Sequence, residues 1–136
     1  VTKPPAKKPC PSCPYRCDVP SGVWADEEYE KLPVFDDPNA SPAVFYCHQQ
    51  TGHLCAGWVG VHDMENMIGI RLAALDGRLT PDDVEAVLDY TTDVPLFESG
   101  AAAAAHGMDQ LATPDTEATR LIRKLLKTKT PIPRTL

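Results

Sequence analysis

The sequence predicts a mainly α fold, with a small irregular or β metal-binding module at its N-terminal end and about four helices after residue 56. Three observations predict it. Many of the 14 prolines fall before residue 43, which keeps the first third of the chain out of helices. All five cysteines lie between Cys10 and Cys55, in that same irregular region. From Cys55 onward Gly and Pro thin out, and apolar residues recur at helical spacing.

A chain of 136 residues that is 43% hydrophobic supports one modest core, so a single compact domain is expected. Within it the composition marks a flexible basic tail over 1–9, a cysteine metal-binding module over 10–60, a helical body over 61–128 and a C-terminal tail over 129–136. No run approaches the roughly 20 apolar residues of a membrane span. The first residues are charged and Pro-rich rather than a signal peptide, so an unsecreted, cytoplasmic protein with no membrane association is expected. An odd number of cysteines with one CxxC pair in such a protein favours a metal or redox element over disulfide staples.

The net charge of -6 conceals a gradient. Residues 1–20 hold four cations against one acid, and residues from 118 onward hold six cations and no acid. The stretch between carries three cations and eighteen acids, an acidic body flanked by two basic ends. That excludes a surface that grips nucleic acid all over and leaves contact through one basic end.

In chain order, Lys3, Lys7 and Lys8 among prolines read as a solvated tail. Ser21 is placed to cap a short helix through Trp24, Tyr29 and Leu32 that Pro33 ends, with Trp24 over the metal loop. Pro33 to Pro42 is loop. Ala43-Val-Phe-Tyr-Cys47 is β-prone, and Gln49-Gln-Thr-Gly52 turns the chain so that Cys47 and Cys55 face each other across a hairpin-like loop. Met64, Met67, Ile68, Leu72 and Leu75 share one face of a helix that begins as early as Ala56 and stops at Asp76-Gly77. Thr80-Pro81-Asp82-Asp83 opens the next helix, with Val84, Val87 and Leu88 inward. The alanine run after Ser99 predicts a narrow, closely packing helix. The last helix opens at Thr113-Pro114-Asp115, buries Ala118, Leu121, Ile122, Leu125 and Leu126, and ends at Pro131 and Pro133.

Thiolates hold borderline cations well, and four of them satisfy Zn²⁺ without further help. The candidate ligands are Cys10, Cys13, Cys47 and Cys55, which would staple a Pro-rich segment with few other means of folding. A 4Fe-4S cluster on the same four cysteines is the alternative. Cys17 reads as a bystander thiol, and His48 faces away from the ion if its segment is extended; both stay open as alternative ligands. Arg16, Trp24, Gly57 and Trp58 form the surroundings, Gly57 giving room near the ion and Trp58 a lid or a stacking platform. There is no phosphate loop, nucleophile elbow or HExxH, so the chain points away from an enzyme.

The stretches Cys10-Pro-Ser-Cys13-Pro-Tyr-Arg16, Asp18-Val-Pro-Ser-Gly-Val-Trp24, Phe45-Tyr-Cys-His-Gln49 and Cys55-Ala-Gly-Trp58 carry a CPxCPxR, FxCH and CxGW pattern. It resembles an uncharacterised family of small actinobacterial and actinophage proteins, a domain of unknown function. The resemblance implies that the same four cysteines, with Arg16, His48, Gly57 and Trp58, belong to the family motif, and that Cys17 does not. It also implies a host cytoplasm if the chain is phage-encoded. The expected function is a small structural-zinc protein that acts as a macromolecule-binding or regulatory module, with an iron–sulfur redox or sensor protein as the alternative. A protein partner is expected, and nucleic acid through the basic termini is possible. Arg120, Arg123, Lys124 and Lys127 are the candidate contact face. Oligomeric state is left open by the sequence.

Overall fold

Among the described residues there are six α-helices: α1 (Asp26–Glu30), α2 (Ala56–Val61), α3 (Ile68–Leu75), α4 (Pro81–Leu88), α5 (Gly100–Met108) and α6 (Thr116–Lys127), with 3₁₀ turns at Val34–Asp36 and Met64–Asn66. This computed structural model describes residues 2–127. The expected end of the last helix at Pro131 and Pro133, and the tail over 129–136, lie outside the described residues. The fold is mainly helical, as expected, and strand pairing among the described residues takes the form of isolated bridges, including Lys3–His53, Arg16–Leu96 and Tyr46–Leu54.

The β-prone run before Cys47 therefore does not become a strand. It makes two rungs, Cys47 N–H to His53 O and Cys55 N–H to Phe45 O, both 2.8 Å. Between them the chain turns through Gly52 at φ 82°, a left-handed conformation that glycine adopts without strain. Pro42 before the run and the tight turn after it leave no room for a longer ladder.

From Ala56 onward the described residues form α2 and then four further helices, because the expected first helix breaks. At His62 the backbone becomes extended, and the Asp63 carboxylate accepts from Glu65 N–H to start a 3₁₀ turn. The break resets the phase. Met67, Ile70 and Ala73 turn inward, while Leu75, expected in the stripe, is 83% exposed. The capping logic at α4 holds: Thr80 Oγ1 accepts from Asp83 N–H, the Asp83 carboxylate accepts from Thr80 N–H, and Pro81 opens the helix. Leu88 and Leu126, assigned to the buried stripes of α4 and α6, are instead half exposed at the ends of their helices. The α6 cap is Asp115, which accepts from Ala118 N–H at 2.8 Å, rather than Thr113.

Ser21 does not cap α1, whose N-terminus has no side-chain cap. Its hydroxyl donates to Gly107 O at 3.0 Å and accepts from Gln110 N–H at 2.8 Å, closing the far end of α5. The small surface of α5 lets α1 lie against it: a Cβ on Gly107 would stand 2.1 Å from the Tyr29 ring. Residues 2–9, expected as a solvated tail, run as a strap over the turn at 46–54. Lys3 N–H donates to Gly52 O, Leu54 N–H to Lys3 O, and Tyr90 Oη to Lys7 O. Proline keeps the strap extended, and these partners satisfy its backbone.

Candidate metal centre

Two short loops bring the cysteines together. In the first, Cys13 N–H donates to Cys10 O at 2.9 Å and Arg16 N–H to Cys13 O at 3.1 Å, so successive turns wind Cys10, Cys13 and Arg16 around one point. The Arg16 guanidinium then clamps the loop, donating to Pro9 O at 3.0 Å and to both Asp18 oxygens at 2.8 Å. Trp24 Nε1–H donates to Ser12 O at 2.8 Å, which places the indole against this loop as its position suggested. The second loop is the pair of rungs described above, with Cys55 at the N-terminus of α2.

The thiols stand as a linked row. Cys10 interacts with Cys13 and Cys47, and Cys13 in turn with Cys55. Cys13 and Cys55 are buried, Cys10 and Cys47 partly so, and none of the five cysteines is in a disulfide. The Cys10 thiol is pushed down to about 3, chiefly by the Cys13 thiol, then by Cys47 and Ser12, all outweighing burial. Cys13 is pushed well up by the same contact with Cys10, by Cys55 and by burial, and Cys47 is pushed up by Cys10. The neighbours around Cys10 are thiols, the donor chemistry that a borderline cation takes. As the side chains stand, no three His, Cys, Asp or Glu side chains among the described residues converge on a common ion position.

The chain belongs to a family of unknown function, DUF6283. Its family model matches residues 5–124, taking in both cysteine loops and α1 to α5 whole. No curated protein and no solved structure matches the chain.

Gly57, the second residue of α2, lies against the row: a Cβ there would be 2.5 Å from Cys13 Sγ and 2.7 Å from Tyr15 Cβ. Trp58 is wholly buried, packed edge-on to Phe35 at 6.0 Å, so it offers no stacking platform. Its Nε1 and the Tyr15 hydroxyl are buried without a hydrogen-bond partner among the described residues. Cys17 is exposed and outside the row, its backbone tied to Pro95 O at 3.0 Å. His48 is not in the row either: Nε2 meets the carboxylate of Glu28, a residue only 3% exposed, which Lys31 Nζ also engages at 2.7 Å. Burial raises Glu28, but the Lys31 and His48 contacts outweigh it and hold the carboxyl below its ordinary range.

Glu28 escaped the sequence reading because Asp26, Glu27, Glu28 and Glu30 look like one solvated acidic face. Nothing near Glu28 in the chain marks it, since its partner His48 lies 20 residues away. A second pair, His62 with Asp36 at 2.7 Å, was also missed. Asp36 there accepts from Gly100 and Ala101 N–H as well, capping α5 from 64 residues away, and these contacts outweigh burial to hold it below the usual carboxylate range. On α6, Arg120 pairs with Glu117, whereas Arg123, Lys124 and Lys127 are exposed with no ion pair among the described residues. No helix among the described residues is long and apolar enough to cross a membrane.

Proposed function

We propose that Cys10, Cys13, Cys47 and Cys55 hold one metal ion, zinc in a structural role, and that the chain is a binding or regulatory module rather than an enzyme. The observation that carries this is four neighbouring thiols drawn from two loops more than thirty residues apart, none of them in a disulfide. When bound, the ion would cross-link the two loops with thiolate bonds. The protein supplies the rest: Arg16 holds the first loop, Gly57 leaves space beside Cys13, and Trp24 covers the backbone at Ser12. Because the row does not yet converge on one point, uptake on this reading draws the outer thiols of Cys47 and Cys55 inward.

The partner is a macromolecule, a protein before a nucleic acid, met by the unpaired cations Arg123, Lys124 and Lys127 of α6. A phage-linked or host regulator in a reducing compartment is the setting this reading implies. Elemental analysis and an absorption spectrum of protein purified without oxygen test it. Zinc near one per chain with no visible band is the expected result. Iron with sulfide and a brown colour would replace zinc by an iron–sulfur cluster, and neither metal would overturn the centre. Charge reversal at Arg123 and Lys124 should abolish capture of the native partner, and undiminished capture would remove α6 from the contact.

A further inference from the structure

Two half-exposed leucines stand in opposite electrostatic settings. Leu88 at the end of α4 is 48% exposed, and Leu126 on α6 is 49% exposed. On α4, Glu85 lies three residues before Leu88 and Asp89 one after it. On α6, Arg123 lies three residues before Leu126 and Lys127 one after it. Residues three and four apart share a helix face, so each triplet is one patch. The two patches carry the same pattern with the charge reversed: a leucine between two carboxylates on α4, and a leucine between two cations on α6. All four charged side chains are exposed, and none of them has an ion pair among the described residues.

Laid antiparallel with Leu88 on Leu126, the two faces come into register. At about 1.5 Å of rise per residue, Glu85 falls about 3 Å along the axis from Lys127, and Asp89 about 3 Å from Arg123, within reach of the long cationic side chains. Laid parallel, the same faces would put the carboxylates and the cations on opposite sides of the leucine pair. An apolar contact flanked by opposite charges selects both a partner and a direction. We propose that α4 of one copy docks on α6 of a second copy of this chain through these six side chains. Each copy carries both patches, so a twofold-symmetric dimer makes the contact twice. This rests on the reading of α6 as the contact face and names what it meets; it uses none of the cysteines.

Sedimentation velocity of the full chain in reducing buffer, its metal content measured, tests the pairing. The contact is small, so a monomer–dimer equilibrium with a dissociation constant on the order of 10–100 μM is expected, weakening as salt rises. Glu85→Lys with Asp89→Lys makes one variant, and Arg123→Glu with Lys127→Glu the other. Each alone faces like charges and should associate at least about tenfold more weakly than the wild type. An equimolar mixture of the two sets opposite charges against each other at both contacts and should restore association. Leu126→Ala should weaken the wild-type dimer about fivefold. These side chains face solvent, so every variant should melt near the wild type. A wild type that is monomeric at about 1 mM, association untouched by either reversal, or a mixture that stays monomeric would overturn the proposal. Should a reversed variant unfold, the wild type decides alone, and association that does not weaken with salt overturns the pairing. A monomeric chain that still loses its native partner on charge reversal at Arg123 and Lys124 overturns the self-pairing and leaves α6 as the contact face.

Discussion

Two glycines three residues apart in α2 make the closest test of how the helix is fitted to the thiol row. Replacing either by Ala brings the same gain in helix preference, about 1 kcal/mol. What the new methyl meets differs. At Gly57 it would stand 2.5 Å from Cys13 Sγ, 2.7 Å from Tyr15 Cβ and 3.0 Å from Tyr15 Cδ2. Cys13 and Tyr15 are 1% and 0% exposed, so neither can swing into solvent, and overpacking of this kind costs about 1–3 kcal/mol. At Gly60 the nearest atom, at 2.8 Å, is Leu96 Cδ1, the end of a flexible side chain that can rotate away. Gly60→Ala should therefore melt at or slightly above the wild type. Gly57→Ala should fall below Gly60→Ala by about 1–3 kcal/mol, or about 4–12 °C in a domain of this size. Thermal melts by circular dichroism read the difference, and metal content per chain reads the accompanying displacement of Cys13. Equal melting temperatures, or Gly57→Ala the more stable of the two, would refute the packing of α2 against the cysteine loop.

Other substitutions probe separate joints. Gly107→Ala drives a methyl into the Tyr29 ring, whose hydroxyl accepts from the Val23 and Trp24 N–H groups, and a loss of about 3 kcal/mol or more is expected in urea unfolding; a loss under about 1 kcal/mol would contradict the α1–α5 contact. Ser21→Ala removes both ties at the end of α5 and should cost about 1–2 kcal/mol, whereas Ser41→Ala on an exposed loop serves as the near-neutral control. Asp36 carries a pH signature. Its folded carboxyl lies below the ordinary value, so its stabilisation is complete above about pH 4 and is lost as pH falls through the folded value. Asp36→Asn should thus melt below the wild type at neutral pH and converge with it in acid; a gap that persists unchanged at about pH 3 would sink that assignment. Cys13→Ser, or chelation, should lower metal content and alter the near-UV spectrum of the 10–60 module, and an unchanged spectrum would count against stapling by an ion.

The parts of the fold legible in sequence are those written within four residues of where they act. Thr80 and Asp83 form the expected capping box, and Gly77 at φ 80° closes α3. Ser99 Oγ accepts from Ala102 N–H at the start of the alanine helix. Periodicity was less dependable where a break intervened. Met64 and Leu75 fit one helical face on paper, yet the extended backbone at His62 and the 3₁₀ turn after Asp63 put Leu75 in solvent. At the cysteines, the spacing made Cys10 and Cys13 a natural pair, but their approach to Cys47 and Cys55 depends on how the loops meet. The Glu28–His48 and Asp36–His62 contacts span 20 and 26 residues, and nothing local to either partner names the other.

By itself, then, the sequence determined a helical body behind an irregular cysteine module, because helix caps, proline and thiols act through chemistry carried by adjacent residues. Only the tertiary structure decided that Trp58 is core rather than platform. It alone laid the N-terminal strap across the 46–54 turn and let Asp36 cap a helix 64 residues downstream. Those outcomes depend on the path of the chain, which buries one side chain and aims another only after the helices have packed.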